Sequence, residues 1–258
     1  MASIEPIVFY DVPRVPREGA DPNNKAFSSN TWKTRYVLNM KGIPYKTRWI
    51  EYPDIADEMK RIGGEPGAVY GGIPFYTVPT IYDPNTKTVV TNSDKIAAYL
   101  DKQYPQAPVL FPPHTRALQA AVTKRFDTIL QPMLPMFLQE LYDIMTDYSK
   151  PYIRATREQF LGCKIEEAAP TGERKEQMIQ AIEGLLTEMY DAIKESGEDA
   201  MLLGGDIPIY ADVLVAAVLA PTEENFGKDN EVTRIIYAAN NGFWPKYLRY
   251  FDKYKAVH

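Results

Sequence analysis

Three short stretches place hydroxyls and free backbone groups where the chain turns into a helix or a strand. In Phe27-Ser28-Ser29-Asn30-Thr31-Trp32 a serine opens a helix just after an irregular loop. Its hydroxyl shares one spot with the first amides of that helix, which have no intrahelical acceptor and favour a negative charge. A bound thiolate is such a charge. A free thiol of pKa ~8.5 is only slightly ionised at neutral pH, and lowering it by ~2 units takes roughly 2.7 kcal/mol. A hydroxyl hydrogen bond assisted by helix amides is of that order. The competing reading is that Ser28 or Ser29 simply caps the helix, and the segment alone favours the cap.

The second stretch is Tyr76-Thr77-Val78-Pro79-Thr80. Only about 5–6% of X-Pro bonds are cis, so Val78-Pro79 by itself reads as trans. If cis, it turns the Val78 amide and carbonyl outward, where an extended peptide can pair as an added strand. The third is Asn92-Ser93, opening another helix, where the serine and following amides can hold a carboxylate or merely cap. One cysteine, Cys163, and two histidines, His114 and His258, argue against a disulfide framework, a zinc site or a Ser-His-Asp hydrolase. No metal is expected.

These stretches need a frame in which to meet. Residues 7–11 are an apolar run that reads as a buried strand, and 12–26 are proline-rich and irregular. A helix is expected over about 29–41, ended by Gly42 and Pro44. Residues 45–49 alternate as a strand, and 55–62 read as a short helix. A flexible glycine-rich stretch covers 63–72, a hairpin 78–90 and a helix 93–103. That strand-helix-strand-helix-strand-strand-helix order is thioredoxin-like, a mixed sheet covered on both faces. The proline-rich segment after Tyr104 marks a domain boundary. Beyond it everything reads helical: a stretch over 115–147 that Pro132 and Pro135 should bend or break, and an amphipathic helix over 173–195. A helix apolar almost all round follows over 211–220, then two more over 232–239 and 243–254. The fold class is α/β plus all-α, with domains at 1–104 and 115–258. A net charge of −5 without a basic run speaks against nucleic acid. No apolar run reaches the roughly 20 residues of a membrane span. The N-terminal residues do not read as a secretion signal, so a cytoplasmic protein is expected.

Together the segments resemble those of the cytosolic glutathione transferases. More narrowly they resemble the fungal-specific class A transferases related to bacterial beta-etherases. That resemblance rests on Ser-x-Asn-Thr-Trp-Lys-Thr-Arg at 28–35, on Tyr152-x-Arg154-x-Thr156-Arg157-Glu158 with Gly162, and on Gly205-Asp206-x-Pro208-x-Tyr210-Ala211-Asp212. It covers almost the whole chain. It implies glutathione as co-substrate, with Ser28 facing the sulfur and Val78, beside a cis Pro79, pairing with the cysteinyl backbone. Asn92 and Ser93 would hold the gamma-glutamyl end and Lys41 the glycyl carboxylate, unless Lys41 is simply a solvated lysine at a helix end. A homodimer is implied too. The implied reaction is attack of the thiolate on hydrophobic, aromatic electrophiles, ethers or peroxides. The alternative is a ligandin-like carrier of wood- or lignin-derived aromatics with little catalysis. In this fold the acceptor lies above Ser28, which brings forward Tyr10, Met133, Phe137, Tyr152 and Phe160 as wall residues. Arg154 or Arg157 would neutralise a phenolate or carboxylate there, unless they pair with Glu158 at the surface.

Three positions depart from the family's pattern. Ser29 stands where a proline usually follows the serine, and Asn92 where an acidic residue usually precedes Ser93. Ile209 replaces the Ser/Thr that usually caps the central helix, a loss of about 1 kcal/mol unless another group serves its amides. Without a cysteine near Ser28, a glutaredoxin-like mixed-disulfide mechanism is not expected.

Overall fold

The computed structural model describes residues 4–18, 21–70, 72–106 and 108–258, with backbone alone at 70 and 129–133. In chain order the first half comprises β1 (Ile7–Asp11), α1 (Ser29–Met40), β2 (Tyr45–Trp49), α2 (Ile55–Arg61), β3 (Ala68–Tyr70), β4 (Ile73–Phe75), β5 (Thr80–Asp83), β6 (Thr88–Thr91) and α3 (Ser93–Gln103). β1 is apolar because both its faces are covered. Ile7 and Phe9 pack with Ile81 against α1 and α3, whereas Tyr10 packs with Ile55 and Met59 on the α2 side. The mixed sheet has the order β2-β1-β5-β6, with β1 and β2 parallel and the other pairs antiparallel. The stretch expected to be flexible instead contains the β3–β4 hairpin, Ala68 opposite Phe75. Its many glycines hide short strands, yet Val69 and Ile73 favour an extended backbone and Gly72, at φ +83°, suits the turn.

One polar contact inside the core fixes the orientation of α1. Arg35 reaches back to Asp11 at the end of β1, 2.7 Å away, with both side chains fully buried. The guanidinium also donates to the Tyr45 and Thr47 hydroxyls and lies over the rings of Phe9 and Trp32. Burial raises the Asp11 carboxyl above its ordinary value, opposed by the Arg35 charge. The pair therefore holds only as a pair.

The second half is α4 (Arg116–Met133), α5 (Leu138–Asp143), α6 (Lys150–Leu161), α7 (Gly172–Glu195), α8 (Tyr210–Phe226) and α9 (Glu231–Arg249). The helical stretch over 115–147 is interrupted by a 3-10 turn at Leu134–Met136 carrying Pro135, because proline has no N–H to continue the ladder. α9 is interrupted at 239–242, where Ala239 is extended and Asn240, Asn241 and Gly242 adopt left-handed backbone, so the two helices expected there are both present and joined by a non-helical kink. α8 is buried nearly all round and packs on α1. Its missing cap is supplied from elsewhere in the chain. The Ala211 amide donates to Gln119 Oε1 at 2.9 Å and the Tyr210 amide to the Leu110 carbonyl at 3.0 Å. The Asp212 carboxylate accepts from the amides of Leu203, Gly204 and Ile209. Among the described residues no helix is long and apolar enough to cross a membrane.

Candidate functional site

The first turn of α1 projects from the sheet towards the helical half. Ser28 is its N-cap residue in an extended conformation, φ −70° and ψ 121°, and its side chain makes no capping hydrogen bond. The Ser28 carbonyl takes the amides of Thr31 and Trp32 at 3.1 and 3.0 Å. The amides of Ser29 and Asn30 have no intrahelical acceptor, and no acidic residue occupies the turn. A free hydroxyl and free amides thus coincide at the positive end of the helix. The residue before Ser28 is tethered by the helical half: Asn225 of α8 donates from Nδ2 to the Phe27 carbonyl at 3.0 Å. Nothing in the sequence pattern marks Asn225 for this role, since the contact spans two distant segments.

Asn30 lines two recesses at once. On one side is a polar cleft of about 540 Å³ that holds Val78, Pro79, Asn92 and Ser93 together. The Val78–Pro79 bond is cis. Among the described residues the Val78 amide and carbonyl have no backbone partner. Asn92 has φ +85°, and its Oδ1 accepts from the Asp94 amide at 3.1 Å. Its side-chain oxygen is thus engaged in capping α3, the plainer of the two sequence readings. Sequence reasoning missed Lys33, Lys124 and Asp127, which also line this cleft. Lys33 is 4% exposed and donates to Asn30 Oδ1 at 3.1 Å; burial lowers its pKa, with Asp127 and Asp94 opposing. Lys95 and Asp94 are engaged elsewhere, with Glu65 and Arg116. Lys33 was visible in the 28–35 motif, five positions after Ser28, but only the fold shows that it faces the cleft.

Lys41 is not at this cleft. It sits at the far end of α1, about 20 Å of helix away from Ser28. Its Nζ is bound to Asp101 at 2.9 Å, the Gln106 carbonyl at 3.1 Å and the Pro108 carbonyl at 3.0 Å. All three ammonium donors are used, and none remains for a carboxylate.

On the other side of Asn30 is an apolar cavity of about 310 Å³, lined by Ser28 and Ser29 and by side chains of α5, α6 and α8. Of the expected wall residues, Phe137 lines it, stacked on Phe226 at 5.1 Å. Tyr10 does not: as a β1 residue it is turned to the α2 side of the sheet and is 3% exposed. Tyr152 lies behind the wall, stacked at 6.4 Å on Tyr52, which does line the cavity. Phe160 points to solvent, 81% exposed. Arg154 is held at the surface by Glu158 and Glu166, each at 2.7 Å. The Met133 side chain falls outside the described residues. Arg157 lines the cavity in place of Arg154. Burial pushes the Tyr52 phenol up to about 12, with the Arg157 charge opposing.

Comparison with known proteins agrees with this geometry. Residues 27–103 match the family described as glutathione S-transferase, N-terminal domain, and residues 117–254 match glutathione S-transferase, C-terminal domain. The chain belongs to the glutathione S-transferase family, whose co-substrate is glutathione. Among solved structures it is similar to glutathione transferase GSTFuA3 from Phanerochaete chrysosporium, at 37% identity and a TM-score of 0.90, covering 99% of this chain and 100% of that one. It is equally similar to the glutathione S-transferase CsGST63524 of Ceriporiopsis subvermispora in complex with glutathione, at 37% identity, TM-score 0.90, covering 98% and 99%. A curated relative, the glutathione S-transferase-like protein ustS of Aspergillus flavus, is 30% identical over 233 residues, covering 85% of this chain and 81% of that protein.

Proposed function

We propose that the protein is a serine-type transferase in which Ser28 holds the glutathione thiolate against an aromatic electrophile. The observation that carries this reading is the position of Asn30 and the Ser28 turn between a polar cleft and an apolar cavity. A sulfur placed at that turn has the tripeptide on one side and the acceptor on the other. The cleft's charges support the same reading. Lys33, Lys124 and Asp127 have no ion-pair partner within the described residues, giving two positive charges and one negative. Glutathione carries the complement, two carboxylates and one ammonium. Val78 is free to pair with the cysteinyl backbone, and the Ser93 hydroxyl, which meets the Tyr210 phenol, stands at a helix start that suits a carboxylate.

The chemistry follows from the turn. Loss of the thiol proton to solvent leaves a thiolate that accepts from the Ser28 hydroxyl and from the Ser29 and Asn30 amides. The sulfur forms a bond to the electrophilic carbon while the bond to the leaving group breaks, and the leaving group departs with its electron pair. Residues 1–104 supply most of the tripeptide site and 115–258 most of the acceptor wall, with homodimerisation and a cytoplasmic setting as part of the proposal. Ser28→Ala, which leaves the amides in place, is expected to raise the bound thiol's pKa by ~1 unit and to lower kcat/KM towards 1-chloro-2,4-dinitrobenzene roughly 10-fold. The thiolate's ultraviolet absorbance reads the first and initial rates the second. Unchanged values would move the role to Ser29 or to the amides alone.

Asn92 supports a second reading, a carrier of aromatic compounds. Its neutral, capping side chain offers little to the ammonium of glutathione, so weak co-substrate binding beside an intact apolar cavity is compatible with carriage. Tight binding of phenolics, unaffected by saturating glutathione and without thiol transfer, favours that reading.

A further inference from the structure

Arg154 and Arg157 lie one turn apart on α6 in opposite surroundings. Arg154 is saturated by Glu158, Glu166 and the Tyr142 hydroxyl. Arg157 has no carboxylate at ion-pair distance among the described residues. Its hydrogen bond is to its neighbour Thr156, at 3.3 Å. It nevertheless lines the apolar cavity that Ser28 also lines, near the half-buried Tyr52 phenol. Among the described residues no acidic side chain lines that cavity, so they supply the guanidinium with no counter-charge.

A planar guanidinium at an apolar wall is matched to a carboxylate, which it can bind through two parallel donors. Partial shielding from water strengthens that bond. The rest of the wall, with Tyr52, Phe137 and Phe226, suits a ring. Small-molecule sites run from roughly 300 to 1,000 Å³, and a cavity of about 310 Å³ is at the small end. It has room for one substituted ring and little more.

We infer that the acceptor is a single-ring aromatic electrophile carrying a carboxylate, with Arg157 holding the carboxylate while the reactive carbon faces Ser28. The inference rests on the transferase reading above. Arg157 is then a specificity-determining residue, and a neutral acceptor of the same shape is a poorer substrate.

The test compares 4-chloro-3-nitrobenzoate with its methyl ester, each rate divided by its uncatalysed rate with free glutathione, because the ester activates the ring more strongly. The wild-type protein is expected to prefer the acid about 10-fold or more in normalised kcat/KM, the range of a charge-assisted hydrogen-bonded pair. Arg157→Met should bring the acid-to-ester ratio to one or below, and Arg157→Lys should restore part of it. Calorimetric titration of both compounds in the presence of S-methylglutathione reads the same preference without chemistry. If the acid binds better and Arg157→Met removes that preference but no transfer is seen, carboxylate recognition by Arg157 stands and it is the transferase reading that fails. If acid and ester are turned over equally, or Arg157→Met leaves the ratio unchanged, the inference is overturned and the transferase reading survives. Arg157→Gln, which keeps the polarity and removes the charge, should behave as Arg157→Met does; a retained preference in it also overturns the inference.

Discussion

On one side of Asn30 the polar cleft offers mostly backbone: the Val78 amide and carbonyl, the amides opening α3, and a few charges around them. On the other side the apolar cavity offers almost only side chains, drawn from α5, α6 and α8 with Tyr52 of the first half. Backbone groups are the same whatever residue carries them, so on the proposed reading the cleft selects a peptide and tolerates substitution. The cavity has no such protection. Each replacement changes its shape or polarity, so under the proposed function it is where acceptor preference can be altered without disturbing the co-substrate.

The largest expected effect breaks the support both recesses share. Arg35→Met leaves Asp11 buried without its partner and should cost about 3–5 kcal/mol in urea unfolding. Glutathione and acceptor binding should fall together, and loss of one alone would show that the recesses stand on separate supports. Next is a pH effect that begins in the helical half. Burial pushes the Asp212 carboxyl from 3.8 up to about 6, opposed by the amides of Ile209, Leu203 and Gly204. Its pKa is higher folded than unfolded, so its stabilising contribution is complete below about pH 4 and is lost as pH rises through about 6, a change of about 3 kcal/mol. Unfolding midpoints between those values should fall with rising pH, and Asp212→Asn should flatten that part of the curve.

A smaller effect sharpens the contrast. Phe137→Ala removes a ring from the cavity wall and should raise the acceptor KM roughly 10-fold through lost apolar contact. The glutathione KM should shift far less; equal shifts would mean that the two recesses are one site. The smallest concerns the cleft. Asn92→Asp keeps a capping side chain and adds a charge for the ammonium of glutathione. By analogy with exposed charges at helix ends, about 0.3–1 kcal/mol, the glutathione KM should fall by a factor of about 2–5. The acceptor KM checks that the change is confined to one side.

The cleft was largely legible in the sequence. Ser28, Val78-Pro79 and Asn92-Ser93 are local signals, each read from a helix start or an X-Pro step, and a thioredoxin-like order of elements brings such signals to one edge. Lys41 misled because a lysine at a helix end looks free when Asp101 and two carbonyls beyond residue 105 are out of view. The cavity was mostly illegible. Arg154 and Arg157 are three residues apart on one helix, and their chemistry looks interchangeable until Glu166 is seen to fold back onto the first. Tyr52 and Tyr152 are a similar case: the nearer ring lines the cavity and the other only supports it.

The sequence by itself determined the element order apart from the β3–β4 hairpin and α6, the break after α4, the buried character of α8, and the serine at the start of α1. These depend on periodicity, proline and caps, which act within a few residues. Only the tertiary structure decided that Gln119 caps α8, that Asn225 tethers Phe27, and that Arg157 rather than Arg154 faces the cavity. Those outcomes depend on which face of a helix meets which neighbour across many residues of chain. Packing of the whole core fixes that rotation, and no local pattern records it.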